Sequence, residues 1–382
     1  DLLKYLGWAE ANLTAPNKAS YEMQGRALRV YYYNNLWHYF GNIPFYLENL
    51  SSPYTAPQLS ADEVYNNLIT ELESVIKSNV LPMRWDDVNC GRMSQAMCYM
   101  MYAEMVMYQK DTSRYATALQ YMQEIINDKN DYGIMDDFAS IWKNSGEWCK
   151  ESIWEVNYEI GFSERSWSNP QGIGGTVLPT LISPNSWPGG EGWDAGANGW
   201  GFMPVRTETY NMFASNDKRR DATIWDCRGV EYTKRYQDTG FWLGKYRPYT
   251  ENNATSGDKD LNYNNNLRVY RVAEAYLNAA ELLLATGGDA TKAKDYVNII
   301  RRRAGIAELG AVTVDDVINE RHLEFVGEGK RYFDLVRTGK AASVLVPDEY
   351  GYRTNSWTES KKYIPIAQAE LDSDPALVQN NY

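Results

Sequence analysis

Two apolar stripes at helical spacing constrain the fold of this chain more than any other feature. Val269, Val272, Ala273, Tyr276, Leu277, Ala280, Leu283 and Leu284 recur at intervals of three and four, which puts them on one face of a helix. Thr286-Gly287-Gly288 breaks the run, and residues 289–303 resume it with Ala290, Ala293, Tyr296, Val297 and Ile300 inward. A turn this tight makes the two helices antiparallel neighbours, and small residues at the crossing let their backbones approach closely. Residues 94–128 have the same shape: residues 94–108 are apolar nearly all round, as in a helix buried on most sides, and residues 114–128 supply an amphipathic partner.

Each pair has roughly the length of a tetratricopeptide repeat, ~34 residues, and neighbouring hairpins must cover its remaining apolar faces. Residues 21–40 carry Leu28, Tyr32, Leu36 and Phe40 at spacing four, which predicts a helix with one buried stripe, stopped by Gly41-Asn42-Ile43-Pro44. Ser60-Ala61-Asp62-Glu63 is a capping-box pattern opening a helix toward Lys77. Helices return at Arg268, and the last block spans residues 314–337. The fold expected is mainly α: a tetratricopeptide-like helical-hairpin scaffold with a long irregular Trp-rich loop region. We expect one domain over residues 1–382, with scaffold at 18–130 and 268–345, an irregular ligand-facing region at 136–266, and an extended tail at 346–382.

Composition excludes several functions. Lys and Arg total 38 against 50 Asp and Glu, a formal charge of −12 with a pI near 4.9. Phosphate binding needs a basic footprint, so nucleic acid is excluded as a partner, and so is electrostatic docking on anionic lipid. No apolar run reaches the ~18–20 residues of a membrane span; the nearest, residues 96–108, is broken by Glu104. Cys90, Cys98, Cys149 and Cys227 match no zinc or redox spacing. Cys98 reads as a small hydrophobe inside a helix, and the count is compatible with one disulfide.

The middle of the chain carries the ligand-binding signal. Nine of the 13 tryptophans lie between residues 142 and 242, in sequence rich in Gly, Pro, Asn and Ser. A flat indole covers the apolar C–H face of a sugar ring and leaves the hydroxyls to polar partners. Aromatics on exposed loops are therefore a natural glycan platform. Trp167, Trp187, Trp193 and Trp200 are the sharpest candidates, with Asn185, Glu191, Asp194 and Asn198 nearby to bond hydroxyls. The alternative for each indole is to plug a small core under the loop. That alternative is favoured for Trp142, Trp148 and Trp154, which lie near periodic or strand-like runs such as residues 152–158. The helical tyrosines, among them Tyr31, Tyr32, Tyr33, Tyr99, Tyr102, Tyr276 and Tyr296, read as packing between hairpins.

Enzyme signatures are weak. Glu320 and Glu324 share a helix face, and a glycosidase needs two carboxylates ~5–9.5 Å apart across its substrate. The same block holds Arg321, Arg331, Asp334 and Arg337, so a structural ion-pair network is the preferred reading. His38 and His322 have no His or Cys neighbour at metal-ligand spacing. There is no G-x-S-x-G elbow or Walker pattern, and Gly172-Ile173-Gly174-Gly175-Thr176 lacks the lysine of a phosphate cradle. No cofactor is implied. A structural calcium on Asp86-Asp87, Asp136-Asp137 or Asp258/Asp260 fits the ligand chemistry, without an EF-hand pattern.

Several segments together resemble the SusD/RagB family of outer-membrane nutrient-binding lipoproteins from starch-utilisation-type systems. Arg26-Ala27-Leu28-Arg29-Val30-Tyr31-Tyr32-Tyr33, followed by Tyr39-Phe40-Gly41-Asn42-Ile43-Pro44, is similar to its first signature helix. Residues 271–281 resemble its late helix. Glu320-Arg321-His322-Leu323-Glu324-Phe325 and residues 328–337 resemble its most diagnostic stretch. Tyr363-Ile364-Pro365-Ile366 and the closing Gln379-Asn380-Asn381-Tyr382 fit its end, and Gly199-Trp200-Gly201 with residues 217–220 its central landmark.

The resemblance implies a non-catalytic protein of the outer-membrane cell surface. It would be lipid-anchored through an N-terminal cysteine not present in this chain, and would pass oligosaccharide or polysaccharide to a TonB-dependent transporter. Family members carry a signal peptide and further helices before the first signature helix, where 25 residues stand here, so the N-terminus reads as truncated. The competing readings are a helical glycoside hydrolase and a peptide-binding member of the same family.

Overall fold

A computed structural model describes residues 1–7, 13–159, 161, 165–169, 171–172, 174–189, 199–254, 257–349 and 351–382. It is mainly helical with a few short strands and divides into two compact units, residues 1–122 with 332–382, and residues 123–331. No helix of the described residues is long and apolar enough to cross a membrane.

The first unit is built on α1 (Ala15–Phe40), α2 (Ala61–Lys77) and α3 (Gln95–Gln109), each packed on the next. Their starts follow local chemistry. The Thr14 hydroxyl accepts from the Asn17 amide, Ser60 and Glu63 form the expected capping box, and Ser94 caps α3. Gly41 ends α1 at φ 65°. Residues 96–103 of α3 are all buried, as its all-round apolar pattern predicted. Burial pushes the Cys98 thiol up to about 12, so it packs and does not react. Tyr99 stacks on Tyr121 at 4.2 Å. The tail closes over the end of α1: the Ile364 amide donates to the Tyr39 carbonyl, and Asn380 Nδ2 donates to the carbonyls of Phe40 and Ile364.

Burial on α1 corrects the stripe read from sequence. The inward face is Met23, Ala27, Val30, Asn34 and Trp37. Tyr32 is 65% and Leu36 43% exposed. With Leu28 and Phe40 they line a cavity of 1370 Å³ shared with Tyr46, Leu47, Ile366 and Leu377. A 26-residue helix can carry two apolar faces, and spacing alone does not say which one meets α2.

The second unit holds the alanine-lined hairpin. Helices α4 (Val272–Ala285) and α5 (Ala290–Ala304) pack together, with Gly287 at φ 66° between them, and α6 (Val314–Glu324) lies on α4. Residues 268–271, expected to begin the helix, lie in a strand. β4 (Leu267–Arg271) pairs antiparallel with β1 (Ser152–Val156), while β2 (Ile224–Asp226) pairs with β3 (Phe241–Leu243). β-Branched and aromatic residues at 269–270 favour extension once a partner strand is present. The final helical block is also interrupted: α6 stops at Glu324, and Gly327 and Gly329 take positive φ before the helix Arg331–Arg337. A second core of Phe138, Ile141, Trp142, Ile182, Phe241 and Leu243 fills the irregular region. The four cysteines form no disulfide.

Beneath this core lies a buried ionic network. Glu324 accepts from Arg271 at 2.9 Å, Arg303 at 2.6 Å and Arg219 at 3.2 Å. Glu151 accepts from Arg271 and Arg303, and Glu328 from Arg271 and Lys245. Asp217 and Glu320 hold Arg219, and Glu320 also takes Arg301. The carboxylates of Asp217, Glu151, Glu320, Glu324 and Glu328 thus balance five cations. Burial raises the pKa of Glu324, but Arg303, Arg271 and Arg219 more than offset it and hold the carboxyl well below its usual range. Glu328 is lowered in the same way by Arg271 and Lys245.

A carboxylate whose folded pKa lies below its unfolded value near ~4.3 stabilises the fold above that pH and loses the contribution as pH falls. We therefore predict a melting temperature that is level from pH 7 to about 5 and drops steeply below about 4. Differential scanning fluorimetry across pH reads this, and a melting temperature unchanged at pH 3 would contradict it.

Candidate functional site

Trp167 sits on a tight turn in which Ser166 and Asn169 exchange backbone hydrogen bonds of 3.0 Å. Its amide donates to Asp258 Oδ2 at 2.8 Å. Asn262, fully buried, braces the turn through both edges of its amide. Its Oδ1 accepts from the Arg165 amide, and its Nδ2 donates to the carbonyls of Arg165 and Asp258. Asn262 is thus a scaffold for the tryptophan turn, and Asp258, read as a candidate calcium ligand, is a backbone anchor. Among the described residues no three His, Cys, Asp or Glu side chains come close enough to hold a metal ion.

Trp200 comes from a segment laid along the helix Leu178–Ile182. The amides of Trp200, Gly201 and Phe202 donate to the carbonyls of Thr180, Ser183 and Leu181 at 2.8, 2.9 and 2.8 Å. This close approach requires the two glycines. A Cβ on Gly199 would lie 2.1 Å from the Ser183 carbonyl oxygen, and Gly201 takes φ 66°. The segment brings Trp200 against Trp167, with ring centroids 5.8 Å apart and planes inclined at 37°. Phe202 stands edge-on to Trp200 at 6.1 Å and 82°. Exposures of 62% for Trp167, 38% for Trp200 and 59% for Phe202 leave the three rings facing solvent.

An exposed aromatic trio gains little from folding, because its apolar area stays in water. Its hydrogen-bonded backbone makes it a rigid surface for a flat ligand.

The other candidates divide. Trp187 is 4% exposed and stands edge-on to Trp225 at 4.8 Å, so the structure corrects its assignment from platform to core. The polar sequence around it hid a local apolar pocket. Asn185 is exposed on a bridge to Thr233, and its Oδ1 accepts from Ser186. Trp193, Asp194 and Asn198, with Glu191, lie outside the described residues. Trp142, Trp154 and Trp242 are buried core residues, and Trp148 is half-buried, donating from its indole to Asn157.

Phe202 was missed from sequence. Its signal was adjacency to the Gly199-Trp200-Gly201 motif. Glu320 and Glu324 cannot serve as a catalytic pair. Both are buried under arginines, and a carboxyl held ionised, as Glu324 is, donates no proton.

The burial of Trp187 carries its own prediction. Trp187→Ala should cost about 3–5 kcal/mol of stability, read by chemical denaturation, while Trp187→Phe keeps wild-type ligand affinity. A loss of affinity in folded Trp187→Phe would return this indole to the platform.

The model of the SusD family matches residues 222–382. Surface glycan-binding protein A from Bacteroides uniformis is 60% identical, with a TM-score of 0.91 over 99% of this chain and 81% of that one. Surface glycan-binding protein A from Bacteroides thetaiotaomicron, solved in complex with laminarihexaose, is 52% identical, with a TM-score of 0.92 over 100% of this chain and 82% of that one. SusD-like protein P25 from Formosa agariphila is 25% identical over 93% of this chain and 70% of its own length. With the helical-hairpin scaffold, the ordered motifs and relatives this similar along nearly its whole length, the chain belongs to the SusD family.

Proposed function

We propose that this protein is a non-catalytic glycan-binding protein of the outer-membrane cell surface. On this reading it takes a laminarin-type oligosaccharide on the Trp167–Trp200–Phe202 surface and delivers it to a TonB-dependent transporter. The observation that carries the reading is the solvent-facing Trp167–Trp200 pair, fixed by backbone hydrogen bonds on both sides. Two indoles inclined to one another offer successive stacking faces to a chain whose sugar rings turn along its length. The ligand class is supported by the relative solved with laminarihexaose, and delivery and lipid anchoring by family membership. An acidic chain with no basic footprint suits a neutral ligand.

Isothermal titration with laminarihexaose, a starch oligosaccharide and a casein digest tests the reading. Binding is expected for laminarihexaose, with no new reducing ends after prolonged incubation. Binding of the digest alone would favour a peptide carrier, and new reducing ends would make the protein an enzyme.

A further inference from the structure

Arg235 lies in the connection between β2 and β3 and reaches back to the aromatic segment. Its Nη1 donates to the Trp200 carbonyl at 3.2 Å and to the Gly201 carbonyl. Its guanidinium carbon sits 5.5 Å from the centre of the Phe202 ring. Its Cδ lies 3.0 Å from where a Cβ on Gly201 would stand. One side chain therefore touches three consecutive residues, two of which present the exposed rings.

We propose that Arg235 is the positioning residue that sets the geometry of the aromatic platform; the inference rests on the glycan-binding reading of that surface. The segment has two hydrogen-bonding edges. The amides of residues 200–202 are held by the carbonyls of Thr180, Ser183 and Leu181. The carbonyls of Trp200 and Gly201 are held by Arg235. Without the guanidinium, one edge is left to water, and the segment can pivot about the other with Gly201 as a permissive hinge. The stack on Phe202 adds a cation–π contact that fixes the third ring.

Arg235 is itself anchored. Its amide donates to Asp238 Oδ2 at 3.3 Å, while Asp238 Oδ1 accepts from the Tyr232 hydroxyl at 2.6 Å and the Gly240 amide at 2.8 Å. Tyr232 stands edge-on to Trp242 of β3 at 6.0 Å, so the clamp is referenced to the sheet. Arginine suits the task because its planar group can bond carbonyls in its plane and stack on a ring with its face. Lysine offers a point charge and cannot do both. Arg235 is exposed, so its removal leaves the cores of the fold intact.

The test compares wild type, Trp200→Ala, Arg235→Ala and Arg235→Lys by titration with laminarihexaose, by melting temperature, and by near-ultraviolet circular dichroism. Indoles as close as Trp167 and Trp200 should give a coupled signal in that spectrum. We expect Arg235→Ala to weaken binding about tenfold, equivalent to about 1.4 kcal/mol, with a reduced coupled signal and a wild-type melting temperature. Arg235→Lys should stay closer to alanine than to wild type. Wild-type affinity and wild-type spectrum in Arg235→Ala, with binding lost in Trp200→Ala, would overturn the proposal. A lowered melting temperature with unchanged affinity would overturn it too, since the role would then be structural. Failure of wild type to bind laminarihexaose would count against the glycan reading. The spectrum of Arg235→Ala would then decide the positioning role separately.

Discussion

Trp167→Ala/Trp200→Ala should show no measurable heat with laminarihexaose under conditions where the wild type saturates. Each indole is a large, rigid contact with few rotatable bonds, and tryptophan truncation at the centre of a binding surface commonly costs 2 kcal/mol or more. That is at least about 30-fold per site. The two rings touch at 5.8 Å, so their effects should not add. A single truncation removes one stacking face and also unsupports the other ring, and the double variant should lose less than the sum of the two singles. Stability should hold in both, because the rings are 62% and 38% exposed and their removal opens no core cavity. Titration with matched thermal melts reads this. A double variant that binds as the wild type does would remove the platform from the function altogether.

Glu324→Ala should be strongly destabilising. The carboxylate is fully buried and shared by Arg219, Arg271 and Arg303. Deleting it leaves four carboxylates for the network's five cations, and three guanidinium groups each one partner short in low dielectric. Breaking a buried ion pair by removing one partner typically costs 3–5 kcal/mol, and the penalty comes from the stranded charge more than from the lost bond. A drop in melting temperature on the order of 10 °C is expected. Glu324→Gln keeps the shape but not the charge, so it should fall between the two. Its profile should also be less steep below about pH 4, since one depressed carboxylate has been removed. A Glu324→Ala variant that melts with the wild type would show the network to be dispensable.

The two sets of charged and aromatic residues were unequally legible. Glu320 and Glu324, four apart on a helix and interleaved with arginines, already pointed to a structural network. Their partners Arg219, Arg271 and Arg303 lie too far away in sequence for spacing to find them. Among the tryptophans, composition located the region but could not separate Trp187 from Trp167, because both sit in polar, glycine-rich sequence. One is covered by Trp225 and the other is not. Asn262 and Arg235 gave no signal at all, since their work is to hold backbone carbonyls and amides of segments far along the chain.

The amino-acid sequence alone determined the elements whose causes are local. The hairpin at 272–304, the Ser60–Glu63 capping box, the glycine stop at Gly41 and the all-buried α3 follow from periodicity, capping and glycine chemistry acting over a few residues. The ordered motifs and the crowding of tryptophans between residues 142 and 242 narrowed the function to ligand capture. Only the tertiary structure decided which face of α1 meets α2, why residues 267–271 pair as a strand, and which indoles remain in water. Each of these depends on a partner distant in sequence, and a side chain's burial is a property of what covers it.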